Sequence, residues 1–309
     1  MPIPHDWSKK LNVFLDEWKR NPRREAYLGD GPFDNFILTE QAESWDAFLG
    51  WLNELQDLWC FRGQREASWF LHTSLDRAVK KITASGYYHL DREIEGRELL
   101  FRFQQQAHRY LHLLPPDDDL SSWFALMQHH RVPTRFLDWT ESSYVALYFA
   151  VEEESQEDEK RSALWAIDLV WLERKGRELL QSDAGTPDLD DPRTRAEYLN
   201  SLLGCEGKPL IVRINALRSN ERMAAQQGFF LCKLFHEASF NQILMSMMIK
   251  EVPDRPVVRK LEIGNDHRIK FLKKLRAMNI HRASLFPDLD GFGRSLQLDL
   301  ELKVKGTLE

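Results

Sequence analysis

The sequence predicts an α+β fold with a helical N-terminal extension. Apolar residues in the first half recur mostly at helical spacing, whereas the second half contains short apolar runs of strand character. One such run also lies early, at residues 58–63. Because the helical part precedes the strand-rich part, we predict a single mixed domain at residues 36–309 behind an extension at residues 1–35.

The first two helices are predicted from their N-caps. Asp6 and Ser44 each precede a run of apolar residues at helical spacing. A side-chain oxygen at the N-cap accepts a hydrogen bond from the first turn of a helix, so Asp and Ser are favoured there. We therefore expect a helix after each residue, with a loop at residues 21–34 between them.

The middle of the chain predicts two further helices and a loop. Helical patterns cover residues 90–113 and 121–130. The proline within residues 131–138 disfavours a helical conformation at the residue before it, so this segment is predicted to be a connecting loop. Another helix follows, with Thr140 or Ser142 as its N-cap.

Four runs in the second half are predicted to be strands, because they are apolar and bounded by polar or turn-forming residues. They are residues 162–172, 208–215, 228–235 and 255–263. Residues 266–278 predict an amphipathic helix.

Composition predicts a folded protein of the reducing cytoplasm. The 309 residues are 43% hydrophobic, which is enough for one large core. The 3 cysteines lack metal-ligand spacing and favour a reducing compartment. No apolar run approaches the roughly 18 residues of a transmembrane helix, so we expect no membrane partner. The net charge of −6 argues against a generally basic surface for nucleic acid, although it permits a local basic groove.

The first candidate site is the segment FRGQ at the end of the early strand. Arg62 can offer parallel N–H donors to a phosphate or carboxylate, and Gly63 lets a ligand approach the backbone closely. In the structural alternative, Arg62 pairs with a core carboxylate such as Asp138.

The second candidate site is the segment QHHRVPTRFLDWTE. His129 and His130 beside Asp138 can serve as acid, base or orienting groups. In the structural alternative, both histidines only pack, Arg135 pairs with Asp138, and Thr140 caps a helix. No metal is expected, because adjacent histidines point in different directions on a helix and a metal needs three or more converging ligands.

The third and fourth segments are RMAAQQGFF and LFPDLDG. A helix that ends at Gly228 would have an ordinary C-cap, and the amides of Gln226 and Gln227 precede the next strand. LFPDLDG lacks the spaced oxygen ligands of a calcium loop and is interpreted as a turn into a closing helix.

In this order, the four segments resemble the FRG domain family over roughly residues 36–296. Arg131 occupies a position where many relatives carry glycine. The order is also similar to that of ADP-ribosyltransferases, which use a strand-borne Arg or His, then a Ser/Thr block, and then a third-strand Glu. That similarity implies an ADP-ribosyltransferase-like strand core and NAD as a substrate.

The resemblance also implies roles for individual residues. Arg62 would bind the diphosphate or ribose of NAD, while Trp139 and Thr140 would shape the nicotinamide pocket. The candidate catalytic residues are Arg62, His129, Asp138, Thr140 and Gln227, and the candidate cofactor-binding residues are Arg62, Gly63, Gln64, Arg135, Trp139 and Gln226.

Three functions remain open at this stage. The first is an ADP-ribosyltransferase, a glycosyltransferase acting on NAD, in a toxin or phage-defence effector that modifies protein or nucleic acid and is controlled by an antitoxin or regulatory protein. The second is a non-catalytic module that binds a nucleotide or partner in the same cleft. The third is a hydrolase or nuclease built on His129, His130 and Asp138. Glutamine at the expected glutamate position bears on this choice, because a carboxylate stabilises developing positive charge better than an amide.

Overall fold

The computed structural model describes residues 34, 37–55, 58–84, 92–157, 160–181, 185–204, 207–215, 221–235, 238–250 and 253–305. In this part of the chain, seven strands form one mixed sheet in the order β1-β7-β4-β2-β3-β6-β5. The strands are β1 (Leu38–Ala42), β2 (Trp59–Gln64), β3 (Phe136–Thr140), β4 (Arg161–Asp168), β5 (Ile211–Ile214), β6 (Gly228–Lys233) and β7 (Val258–Gly264).

Twelve helices are described around this sheet. They are α1 (Trp45–Glu54), α2 (Ser74–Ala84), α3 (Arg92–Ala107), α4 (Leu120–His129), α5 (Ser143–Val151), α6 (Leu169–Gln181), α7 (Pro192–Leu202), α8 (Glu221–Ala225), α9 (Phe240–Lys250), α10 (Asn265–Ala277), α11 (Arg282–Leu285) and α12 (Leu289–Lys305). The predicted mixture of helices and strands is therefore confirmed. Every described helix is too short or too polar to form a transmembrane span.

The sheet separates two apolar clusters. Along β4, Trp165 and Ile167 belong to one cluster and Leu164 and Ala166 belong to the other. Successive side chains of a strand point to opposite faces, so each cluster packs on its own side of β4. Helix α5 contributes to the second cluster, while β3, β6 and β5 contribute to the first.

Several sequence predictions are confirmed. The Ser44 hydroxyl caps α1 by accepting a hydrogen bond from the backbone N–H of Ala47 at 3.1 Å. Strands β2, β5, β6 and β7 lie where strand character was predicted, and α4 and α10 lie where helical patterns were predicted. The predicted helix after Asp6 lies outside the described residues, and the extension at residues 1–35 stays a prediction.

Three predictions about local structure are wrong. The segment at residues 131–138 is not all loop, because Phe136–Thr140 pairs with β6 as strand β3. The strand predicted at residues 162–172 ends at Asp168, whose carboxylate accepts a hydrogen bond from the Trp171 N–H at 2.9 Å and begins α6. The helix predicted at residues 90–113 ends at Ala107.

The sheet has a gap in its ladder between β2 and β3. Strand β2 pairs with β4 along its whole length, from Trp59 to Gln64. It pairs with β3 only where Phe61 faces Thr140. We call the segment beyond this pair the β2–β3 opening, and Arg62 lies at its start.

Candidate functional site

Arg62 spans the β2–β3 opening. Its Nη1 donates a hydrogen bond to the backbone carbonyl of Asp138 at 2.6 Å and lies 4.0 Å from the carboxylate of the same residue. The Nε of Arg62 is buried and has no hydrogen-bond partner among the described residues. Burial lowers the pKa of Arg62 to about 10, against the opposing effect of Asp138, so the guanidinium remains charged at neutral pH.

The Asp138 carboxylate stays accessible beside this arginine. Its side chain is 57% exposed, in contrast to 17% for Arg62. Its Oδ2 accepts a hydrogen bond from Nε2 of Gln128 at 3.1 Å. Gln128 is held in turn by the hydroxyl of Thr134, which donates to Oε1 at 2.5 Å. Asp138 is therefore oriented from α4 and β2 while one side faces solvent.

Two further arginines lie within electrostatic reach of Asp138. Burial lowers the pKa of Arg77, on α2, and of Arg222, on α8, and the Asp138 carboxylate opposes the shift in both. Arg77 donates to the backbone carbonyl of His72 at 2.6 Å, and Arg222 lies over the Phe286 ring at 4.4 Å.

We call Arg62, Arg77, Arg222, Gln128 and Asp138 the Asp138 cluster. Arg62 contacts the Asp138 residue directly, whereas Arg77 and Arg222 interact with its carboxylate electrostatically, so positive charges outnumber negative ones within the cluster. Guanidinium groups in fixed positions bind phosphate and carboxylate through paired hydrogen bonds. The cluster is therefore suited to an anionic group.

The two histidines differ in their surroundings. Burial lowers the pKa of His129, with further lowering by His130 and Arg222, while Asp288 opposes it. The His130 ring lies 4.9 Å from that of His129 and 6.4 Å from the ring of Phe103 on α3. His129 is thus the histidine that interacts electrostatically with the Asp138 cluster, and it is neutral at neutral pH.

Thr140 ties β3 to the turn before β6. Its hydroxyl donates to the backbone carbonyl of Gln226 at 2.7 Å and accepts from the N–H of Ser142 at 3.0 Å. Ser142, rather than Thr140, caps α5 by accepting from Val145. Thr140 therefore holds the second and third sequence segments together.

Gln226 and Gln227 form the turn between α8 and β6. The Gln226 side chain donates to the backbone carbonyl of Leu285 at 3.0 Å, which links the third and fourth segments. Gln227 is exposed, has a φ of 47°, and accepts a hydrogen bond from the N–H of Glu141 through its backbone. The left-handed residue is thus Gln227, and the predicted C-cap at Gly228 is wrong because Gly228 already pairs with Thr140 in the sheet.

Two predicted cofactor residues of β2 make contacts within the fold. A Cβ on Gly63 would collide with the backbone of Ala146 and Ala150 in α5, so close helix packing is sufficient to explain the glycine. Gln64 is buried, where its Oε1 accepts from the Trp165 indole at 2.7 Å.

Arg135 and Trp139 are also buried. Arg135 donates to the backbone carbonyl of Leu203 and lies over the Phe124 ring at 5.1 Å. The Nε1 of Trp139 is buried without a hydrogen-bond partner among the described residues.

No role was predicted from the sequence for Arg77, Gln128 or Arg222. Gln128 and Arg222 lie within the second and third segments, so their positions in polar motifs were a usable signal. Arg77 lies in the run that follows the first segment, but α2 brings it to the cluster only in the folded chain. In the described part of the chain, no three or more His, Cys, Asp or Glu side chains form a group that could hold a metal ion.

The fold and the cluster define a mixed α/β protein with an arginine-rich site at an opening of its sheet. Residues 57–159 match the FRG domain, a region that includes Arg62 and the whole second segment. This part of the chain is therefore an FRG domain. No curated protein and no solved structure matches the chain.

Proposed function

We propose that this protein is an NAD-dependent ADP-ribosyltransferase that modifies a macromolecule. The observation that carries the proposal is the adjacency of β2, β3 and β6, the three strands that bear the motifs, with Arg62 spanning the opening between two of them. The resemblance of the motif order to that of ADP-ribosyltransferases supports an ADP-ribosyltransferase-like core.

The charge of the Asp138 cluster supports a dinucleotide substrate. The diphosphate of NAD carries two negative charges, and Arg62, Arg77 and Arg222 carry three positive ones around the shared Asp138 carboxylate, with Asp76 near Arg77 and Asp288 near Arg222. The unpartnered Nε of Arg62 supplies a donor that a phosphate oxygen would satisfy. We assign the diphosphate to these three side chains.

Asp138 and His129 would serve the transfer step. The bond between nicotinamide and C1′ of the ribose breaks, and its electron pair leaves with nicotinamide. A nucleophilic atom of the acceptor bonds to C1′ and releases a proton. The exposed Asp138 carboxylate would stabilise the positive charge that develops on the ribose, and neutral His129 would take the proton.

A non-catalytic nucleotide-binding module is the second candidate. The turn before β6 favours it, because this turn presents Gln226 and Gln227, and the Gln226 amide is occupied by Leu285. A domain without a carboxylate at this turn can retain nucleotide affinity after losing turnover. The hydrolase reading has no comparable observation in its favour.

Nicotinamide release distinguishes the two candidates. Purified protein is incubated with labelled NAD and a cell lysate, beside Arg62→Gln and the control Arg109→Gln, whose exposed arginine donates a hydrogen bond to the side chain of Gln106. We expect wild type and Arg109→Gln to release nicotinamide and label an acceptor. Arg62→Gln should be slower by a factor on the order of 10²–10³, which is typical for loss of one charge-stabilising donor.

The same samples identify the class of acceptor and distinguish the transferase from the binding module. Protease or nuclease digestion of the labelled lysate identifies the acceptor as protein or nucleic acid. A rise in melting temperature with NAD, without nicotinamide release, would instead support the binding module. If NAD neither raises the melting temperature nor releases nicotinamide, both candidates are wrong.

A further inference from the structure

A cavity of about 370 Å³ lies between α6, α7 and β5. None of its lining residues belongs to the Asp138 cluster. One part of its lining is aliphatic and continues the larger apolar cluster of the core. These aliphatic residues are Leu172, Leu180, Leu189, Leu199, Ile211 and Val212.

Three arginines also line this cavity, and they differ in their partners. Arg177 pairs with Asp190. Arg213 pairs with Glu141 at 2.5 Å and lies 3.7 Å from Glu173. Arg195 has neither an ion pair nor a side-chain hydrogen bond among the residues that the structure describes, although its side chain is half-buried.

We propose that the α6–α7–β5 cavity binds a small amphipathic anion. Its apolar body would pack on the aliphatic lining, and its acid group would pair with Arg195. Ligand cavities have volumes of about 300–1,000 Å³ and combine an apolar wall with a few polar groups, and this cavity has both properties.

The charge of the lining selects a monoanion. Arg177 pairs with Asp190, and Arg213 lies between Glu141 and Glu173, so Arg195 is the lining arginine that has no carboxylate partner among the described residues. A carboxylate or sulfonate supplies one negative charge, whereas a highly charged ligand would have to displace Asp190 or Glu141. The apolar part is needed as well, because aliphatic walls hold ordered water poorly. This inference does not depend on the proposed NAD chemistry.

The probe for this site is 8-anilinonaphthalene-1-sulfonate, which has an aromatic body and one sulfonate. Titration calorimetry and fluorescence should detect one saturable site on the wild-type protein. Arg195→Met keeps most of the aliphatic stem and removes the charge, so affinity should fall about tenfold, as for loss of a charge-assisted contact. Arg193→Met is the matched control on the same helix, since that side chain is 90% exposed and does not line the cavity.

Two further measurements complete the test. Decanoate should displace the probe, and decanol should do so at least tenfold less well, because only decanoate carries the acid group. Leu199→Trp should reduce binding by filling the cavity. The proposal is overturned if wild type shows no saturable site. It is equally overturned if Arg195→Met binds the probe as tightly as Arg193→Met, an outcome that stays decisive even if the tryptophan variant fails to fold.

Discussion

Neighbouring side chains in the candidate site shift one another's pKa. His129 is neutral at neutral pH because burial lowers its pKa, and Arg222 lowers it further. The folded state therefore binds a proton at His129 less readily than the unfolded chain does, whose histidine pKa is about 6.5. Well above that pH the imidazole is neutral in both states, and its titration does not change the free energy of unfolding. As the pH falls below it, the unfolded chain binds the proton more readily, so the free energy of unfolding decreases.

Replacing Arg222 should change the titration of His129. In Arg222→Gln, we expect the His129 pKa to rise, because a nearby positive charge is lost. The imidazole carbon-bound proton shifts in an NMR pH titration measure this midpoint directly. Arg193→Gln is the control, and a midpoint that moves equally in both variants would contradict the assignment.

The sequence indicated which residues belong to the site better than it indicated which residues they contact. Arg62 and Asp138 were selected because they stand in polar motifs, and they do meet. Arg131 has a φ of 61°, a left-handed backbone conformation that favours glycine. The interaction of Arg77 with Asp138 was not predicted, since it depends on how α2 packs.

At the scale of elements, α5 packs directly on the backbone of β2. The sequence predicted both elements but attributed Gly63 to a ligand, because nothing local shows which helix covers a strand. Strand β3 was missed for a similar reason. Its partner β6 lies far along the chain, so only the folded sheet makes Phe136–Thr140 a strand.

A methyl group at Gly63 should destabilise the domain. Gly63→Ala would force the Cβ against the backbone of Ala146 and Ala150, and backbone moves less easily than a side chain. Overpacking of this kind costs about 1–3 kcal/mol, and we expect the upper end in urea unfolding. Gly50→Ala, within α1 and with nothing near its added Cβ, should instead stabilise by up to about 1 kcal/mol. Equal stability of the two variants would contradict the packing argument.

At the scale of the whole molecule, a buried ion pair connects the sheet to α2. Lys233, at the end of β6, contacts the Asp76 carboxylate at 2.5 Å, and both side chains are almost fully buried. Asp76 also accepts from the hydroxyl of Thr73 at 2.8 Å. Since Arg77 is the next residue, this pair positions one arginine of the Asp138 cluster. Neither this link nor the strand order could be predicted from local sequence.

Removing one partner of the Lys233–Asp76 pair should cost more stability than removing both partners. Lys233→Met leaves a buried carboxylate and should lower the free energy of unfolding by about 3–5 kcal/mol. The double variant Lys233→Met/Asp76→Leu removes both charges and should recover part of that loss. Urea unfolding of both variants measures the difference, and a double variant less stable than Lys233→Met would show that the charges are not coupled.

The β2–β3 opening also has a mechanical consequence. Four strands lie on one side of it and three on the other, and a single rung of the ladder joins the two groups. On heating or under force, the sheet should separate first between β2 and β3, while the shared apolar core still holds the two groups of strands together. Backbone amides on the facing edges of β2 and β3 should therefore exchange with deuterium before those inside either group of strands. An anion that binds arginines on both sides of the opening would stabilise the contact between the two groups of strands.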